Sequence, residues 1–99
     1  MKNIKLYQFK NSIGLLKYSF LSENKLTKKE FDEDFEIVAE DKFNEDIDDL
    51  VISEMIFEKY NRDDRPNGRT HRSMCVGDVV DIDNIKYQCK SFGFEKLNF

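Results

Sequence analysis

The chain has 99 residues, of which 39% are apolar and 13% aromatic, and its net charge is −4. That much apolar side chain can fill one core without staples, which excludes an unfolded chain although 36% of the residues are charged. The acidic balance argues against general attraction to nucleic acid, and two cysteines are too few for a disulfide framework.

Residues 1–9 alternate lysine with apolar side chains and contain no continuous apolar run, unlike a signal peptide. No stretch is long enough to cross a membrane. The alternation over 3–9 predicts a half-buried strand with Ile4 and Leu6 on one side. Asn11, Ser12 and Gly14 interrupt it. The apolar segment 15–21 does not declare its type, although Tyr18 and Phe20 favour a hairpin partner for the first strand.

Residues 26–31 carry the clearest local signal. Thr27 caps a helix, Glu30 reaches back to the cap, and Leu26 and Phe31 form a hydrophobic staple. Phe31 and Phe35 then share the inner face of that helix, and 35–39 reads as a short strand. Residues 46–60 predict a second helix, largely buried, with Ser53 as the alternative cap of a shorter version. Residues 61–71 form a loop, since Pro66 followed by Asn67 and Gly68 is good turn chemistry.

The last third predicts a small meander. Strand 79–82 turns at Asp83 and Asn84 into strand 85–90, and a last strand begins at 92–94. This register sets Asp81 opposite Lys86 and places Val80, Ile82, Ile85, Tyr87 and Cys89 together on the core face. The sum is one α+β domain over residues 1–99, a mostly antiparallel sheet with two helices.

Charge is laid out in blocks. Residues 1–29 hold seven lysines against Glu23, whereas 30–49 hold eleven acids against Lys42. The block comprises Glu30, Asp32, Glu33, Asp34, Glu36, Glu40, Asp41, Glu45, Asp46, Asp48 and Asp49. A solvated face explains such a run without any function. The sharper reading is a surface that imitates a nucleic-acid backbone, for which the density suffices, since duplex DNA carries one charge per ~1.7 Å. All four arginines, Arg62, Arg65, Arg69 and Arg72, fall in 62–72 beside His71. Guanidinium groups on a loop suit phosphate or carboxylate recognition, and pairing of Arg65 or Arg69 with nearby acids is the structural alternative.

Other chemistry finds no pattern. His71 and Cys75 supply two metal ligands where zinc needs three or four, so no metal or cofactor is expected. As a nucleophile pair they lack an orienting third group, and both Cys75 and Cys89 are expected as free thiols. The four glycines form no nucleotide-binding motif. The residues predict no enzyme.

Residues 57–97 carry a family likeness. Tyr60-Asn61 closing a helix, Arg65-Pro66, the run from His71 to Val80, Tyr87 and the run from Ser91 to Leu97 resemble the YodL-like domain. Residues 6–9 and 20–22 resemble its opening strands, so the likeness extends over nearly the whole chain. The chain departs from the pattern where the family's Gly-His is Thr70-His71, where its second serine is Cys75, and in a shortened loop over 67–70.

The resemblance implies a small α+β fold and an origin among low-GC Gram-positive bacteria and their phages or conjugative elements. It implies no reaction. By analogy with small acidic proteins of that company, the expected function is a cytoplasmic inhibitor of anti-CRISPR or anti-restriction type, acting in the bacterial host cell. Its partner would be a host protein with a basic nucleic-acid channel, met by the acidic block, without direct nucleic-acid binding. The alternative is a module that binds nucleic acid or an acidic partner through the arginine loop.

Overall fold

The computed structural model describes residues 1–10, 18, 26–44, 46–62 and 72–99. Five strands form one antiparallel sheet: β1 (Lys2–Phe9), β2 (Phe35–Phe43), β3 (Val79–Ile82), β4 (Ile85–Cys89) and β5 (Phe94–Lys96). Their spatial order is β2-β1-β3-β4-β5. Two helices among the described residues, α1 (Lys28–Asp34) and α2 (Asp49–Lys59), make the fold α+β.

Strand alternation divides the apolar residues between two cores. Ile4, Leu6, Ala39, Val80, Ile82 and Tyr87 point to the face covered by α2, where Ile52, Ile56 and Tyr60 meet them. Phe9, Phe35, Val79 and Leu97 point to the opposite face, toward Phe31 of α1, Leu26 and Tyr18. The single core face expected from the hairpin is thus one of two. Strand β3 is buried along its whole length, because both of its faces are covered and both of its edges paired. Ile85 departs from the expected core set at 39% exposure, since it stands at the outer end of the hairpin.

The cap and staple of α1 form as the sequence predicts. The Thr27 hydroxyl accepts the Glu30 N–H at 3.2 Å, and Glu30 accepts the Thr27 N–H at 3.1 Å. Strand β2 runs four residues beyond its expected end at Ala39, to Phe43. Its acids hide it from a propensity reading, yet Ala39 and Phe43 keep the alternation that faces α2. One extra residue, Val38, bulges between the pairs Leu6–Ala39 and Tyr7–Ile37. Strand β1 is paired on one edge with β2 and on the other with β3, and the hairpin partner was expected at 15–21. Apart from Tyr18 that segment lies outside the described residues.

Helix α2 is shorter than 46–60 and is capped by Asp48, whose carboxylate accepts the Leu50 N–H at 2.8 Å. Ser53 is not a cap. It is buried inside the helix and donates to the Asp49 carbonyl at 2.9 Å. The expectation of a largely buried helix also fails, since Leu50, Val51 and Met55 stand 47%, 49% and 42% exposed. The β3–β4 hairpin turns on Asp83 and Asn84, both at positive φ, with Asp81 opposite Lys86 as expected and their side chains 3.2 Å apart. Gly77 is required where it stands. At φ +102° a Cβ would lie 2.8 Å from the Tyr18 carbonyl oxygen.

Candidate functional site

The acidic block is not one surface, because the fold spends several of its carboxylates internally. Asp34, at the end of α1, accepts the Tyr18 hydroxyl. Asp41 lies on the α2 face of β2 and takes the Lys59 ammonium at 2.5 Å, with the Tyr60 hydroxyl at 3.4 Å. Burial opposes the ionised form of Asp41, but Lys59, the Lys42 N–H and Tyr60 together hold it below the usual carboxylate range. Asp49 is built the same way. Lys2 from β1 and the Tyr87 hydroxyl from β4 each reach it at 2.8 Å, and they hold its carboxyl low against the cost of burial.

Glu30 is half-buried and serves the cap of α1, and the remaining described acids of the block are exposed. Asp32 and Glu33 stand on α1, Glu36 and Glu40 on β2, and Asp46 and Asp48 before α2. The six run in chain order from the end of α1 along β2, the terminal strand of the sheet, to the start of α2, with Glu36 beside Gln8 on the face that carries α2 and Glu40 beside Lys5 on the opposite face. Lys28 pairs with Asp32 at 2.8 Å, and Lys42 is exposed on the strand itself. Glu45 lies outside the described residues.

Two of the expected loop residues are engaged by the protein itself. Arg62 pairs with Glu58 at 3.3 Å, one helical turn back. Arg72 donates to both oxygens of Asp78, at 2.8 and 2.7 Å, and lies over the Phe9 ring at 4.1 Å. Asp78 is fully buried, and it also accepts the Cys75 N–H at 2.9 Å and the Gln8 amide at 3.2 Å. Burial pushes its carboxyl up from the ordinary value, against the pull of Arg72. Arg72 therefore serves the fold at this end of the loop. Arg65, Arg69 and His71 lie outside the described residues, and so does the expected pairing of Arg65 or Arg69.

Both thiols are free, Cys89 buried and Cys75 half-buried. Burial pushes Cys75 up to about 11 and Cys89 up to about 12, so neither is a thiolate at neutral pH. Among the described residues no three His, Cys, Asp or Glu side chains could hold a metal ion. A polar concavity of about 300 Å³ opens between β1, β2 and the β3–β4 turn, and three of its four acids are already occupied. There Asp81 accepts from Lys86 and the Asn84 N–H, Asp83 from the Asn3 N–H, and Asp41 from Lys59. No helix among the described residues is long and apolar enough to cross a membrane.

Sequence reasoning missed the Arg72–Asp78 pair, the junction of Lys2, Tyr87 and Asp49, and the exposed side of α2. Only the last had a signal, in the missing stripe of apolar residues over 46–60.

The chain matches the family model of the YodL-like domain over residues 3–99. It is also similar to an uncharacterized protein of Acanthamoeba polyphaga mimivirus, 40% identical over 58 residues. That alignment covers 48% of this chain and 54% of the relative, so the chain spans about half the length of the curated relative it matches. No solved structure matches the chain.

Proposed function

The chain belongs to the YodL-like domain family, and from that premise we propose that it is a non-enzymatic interaction protein of a phage or mobile element. It is an inhibitor of anti-CRISPR or anti-restriction type that binds a host nucleic-acid-targeting defence protein, a CRISPR or restriction nuclease, in the host cytoplasm. The acidic outer edge of the sheet meets a basic groove on that partner. One observation carries this reading, the collection of six exposed acids along β2 and its flanks. A viral relative supports the mobile-element origin.

Nine residues of strand extend about 30 Å at ~3.3 Å per residue. One DNA strand of that length carries roughly nine phosphates at ~3.4 Å each. Six carboxylates with Lys42 among them reach only part of that density. Recognition therefore rests on the summed potential of the edge rather than on phosphate-by-phosphate imitation. The arginine segment is less favoured, because Arg62 and Arg72 already serve Glu58 and Asp78.

Edge strands also carry charge simply to repel strand addition, and the experiment must separate the two roles. Purified CRISPR and restriction nucleases are assayed for DNA cleavage with the wild type and with Glu36→Lys/Glu40→Lys/Asp46→Lys. The expected result is inhibition of one nuclease class, relieved as the Debye length falls from ~8 Å toward ~3 Å with added salt. Association of the triple variant should be at least about tenfold slower. Absence of inhibition, or inhibition that the charge reversals leave unchanged, overturns the proposal.

A further inference from the structure

The exposed side of α2 is a second surface, which shares only Asp48 with the acidic set along β2. Asp48, Val51, Met55, Glu58 and Arg62 are all exposed and follow one another at alternating intervals of three and four residues. On a helix that spacing draws one line, the seam of a two-helix contact; Val51, Met55 and Glu58 lie on α2, Asp48 caps it, and Arg62, beyond its end, lines the same shallow groove as those three. The buried residues Ile52, Ile56 and Tyr60 lie on the other side, committed to the core. Leu50, 47% exposed, borders the seam near its start. Phe92, 98% exposed, stands in the β4–β5 turn beside Gly93, which comes close to Glu54 of α2.

The charges along the seam are self-complementary. Its first member is an acid, its last an arginine, and Met55 stands midway between them, seven residues from each. We propose that the seam is a homodimer contact in which α2 packs antiparallel against α2 of a second copy, with the two-fold axis at Met55. Asp48 of each chain then faces Arg62 of the other, and Val51 lies on the aliphatic stem of Glu58. Arg62 keeps its neighbour Glu58 and gains Asp48 as a second carboxylate. An isologous interface needs this kind of match, since every contact occurs twice. A partner of uniform charge would meet repulsion at one end of the seam. The contact is small, so the dimer is a weak and concentration-dependent one.

Sedimentation equilibrium up to about 1 mM protein tests this on the chain alone, so it fails or succeeds independently of the proposed function. A dimer is expected for the wild type. Met55→Glu places two carboxylates on the axis and should weaken it at least tenfold, with an unchanged melting temperature because Met55 is exposed. Met55→Cys should form a cross-linked dimer under mild oxidation, whereas Glu40→Cys should not. Arg62→Glu and Asp48→Lys should each self-associate less than the wild type, yet pair with one another when mixed. A wild type that stays monomeric, or a dimer that Met55→Glu leaves intact, overturns the inference.

Discussion

Asp49 stands among eleven acids in twenty residues, yet its carboxylate receives the Lys2 ammonium and the Tyr87 hydroxyl, each at 2.8 Å. Nothing in the run distinguishes it from Asp48, because its partners lie 47 and 38 residues away in the chain. Tyr87→Phe keeps the buried ring and removes the hydroxyl, which should cost about 1.5 kcal/mol, whereas Tyr87→Ala should cost about 3–5 kcal/mol. Urea denaturation of the two variants separates the bond from the packing. Titration gives an independent check. The carboxyls of Asp41 and Asp49 are lowered in the folded chain, so their contribution is fully present above the unfolded value of 3.8 and is lost as pH falls through the folded values. Stability should therefore drop below about pH 4, and the drop should be smaller in Asp49→Asn. Arg72→Ala leaves Asp78 buried without its guanidinium and should cost about 3–5 kcal/mol. A cost below about 1 kcal/mol would mean that water replaces the arginine. Neither partner of that pair was legible, since a spacing of six residues across a turn is no motif.

At the scale of elements, the legible parts are those whose chemistry is local. The capping box of α1 uses residues three apart, and the β3–β4 hairpin turns on two adjacent residues at positive φ. Thr27→Ala should accordingly cost about 1 kcal/mol, read from thermal melts, because one bond at the helix start is lost. The parts that escaped are set by tertiary pairing. The last four residues of β2 are strand because β1 pairs with them, and no propensity of Glu40, Asp41 or Lys42 would say so. Helix α2 was expected to be buried because its apolar residues run around it, and the sheet covers only the side with Ile52 and Ile56. Gly77 reads as an ordinary turn glycine, and its need comes from the Tyr18 backbone 59 residues earlier.

For the whole molecule, the consequence is that one acidic run divides into two populations with opposite responses to mutation. Asp34, Asp41 and Asp49 join α1, β2 and α2 to Tyr18, Lys59, Lys2 and Tyr87, so they hold elements together. Glu36, Glu40 and Asp46 have exposed side chains on or next to the terminal strand. Neutralising the second set as Glu36→Gln/Glu40→Gln/Asp46→Asn should leave stability within about 0.5 kcal/mol, the usual range for surface changes. Neutralising the first set as Asp34→Asn/Asp41→Asn/Asp49→Asn should cost several times more, because each loses a charge-assisted bond worth about 1.5 kcal/mol or more. Both variants lose three negative charges, so net charge and long-range self-repulsion change equally. Any difference in melting temperature then reports placement, and equal melting temperatures would dissolve the division. The same pair of proteins serves the functional proposal. The surface variant should lose nuclease inhibition at full stability, and the internal variant should keep it at temperatures where it remains folded. Inhibition that instead follows stability in both would place the contact away from the β2 edge.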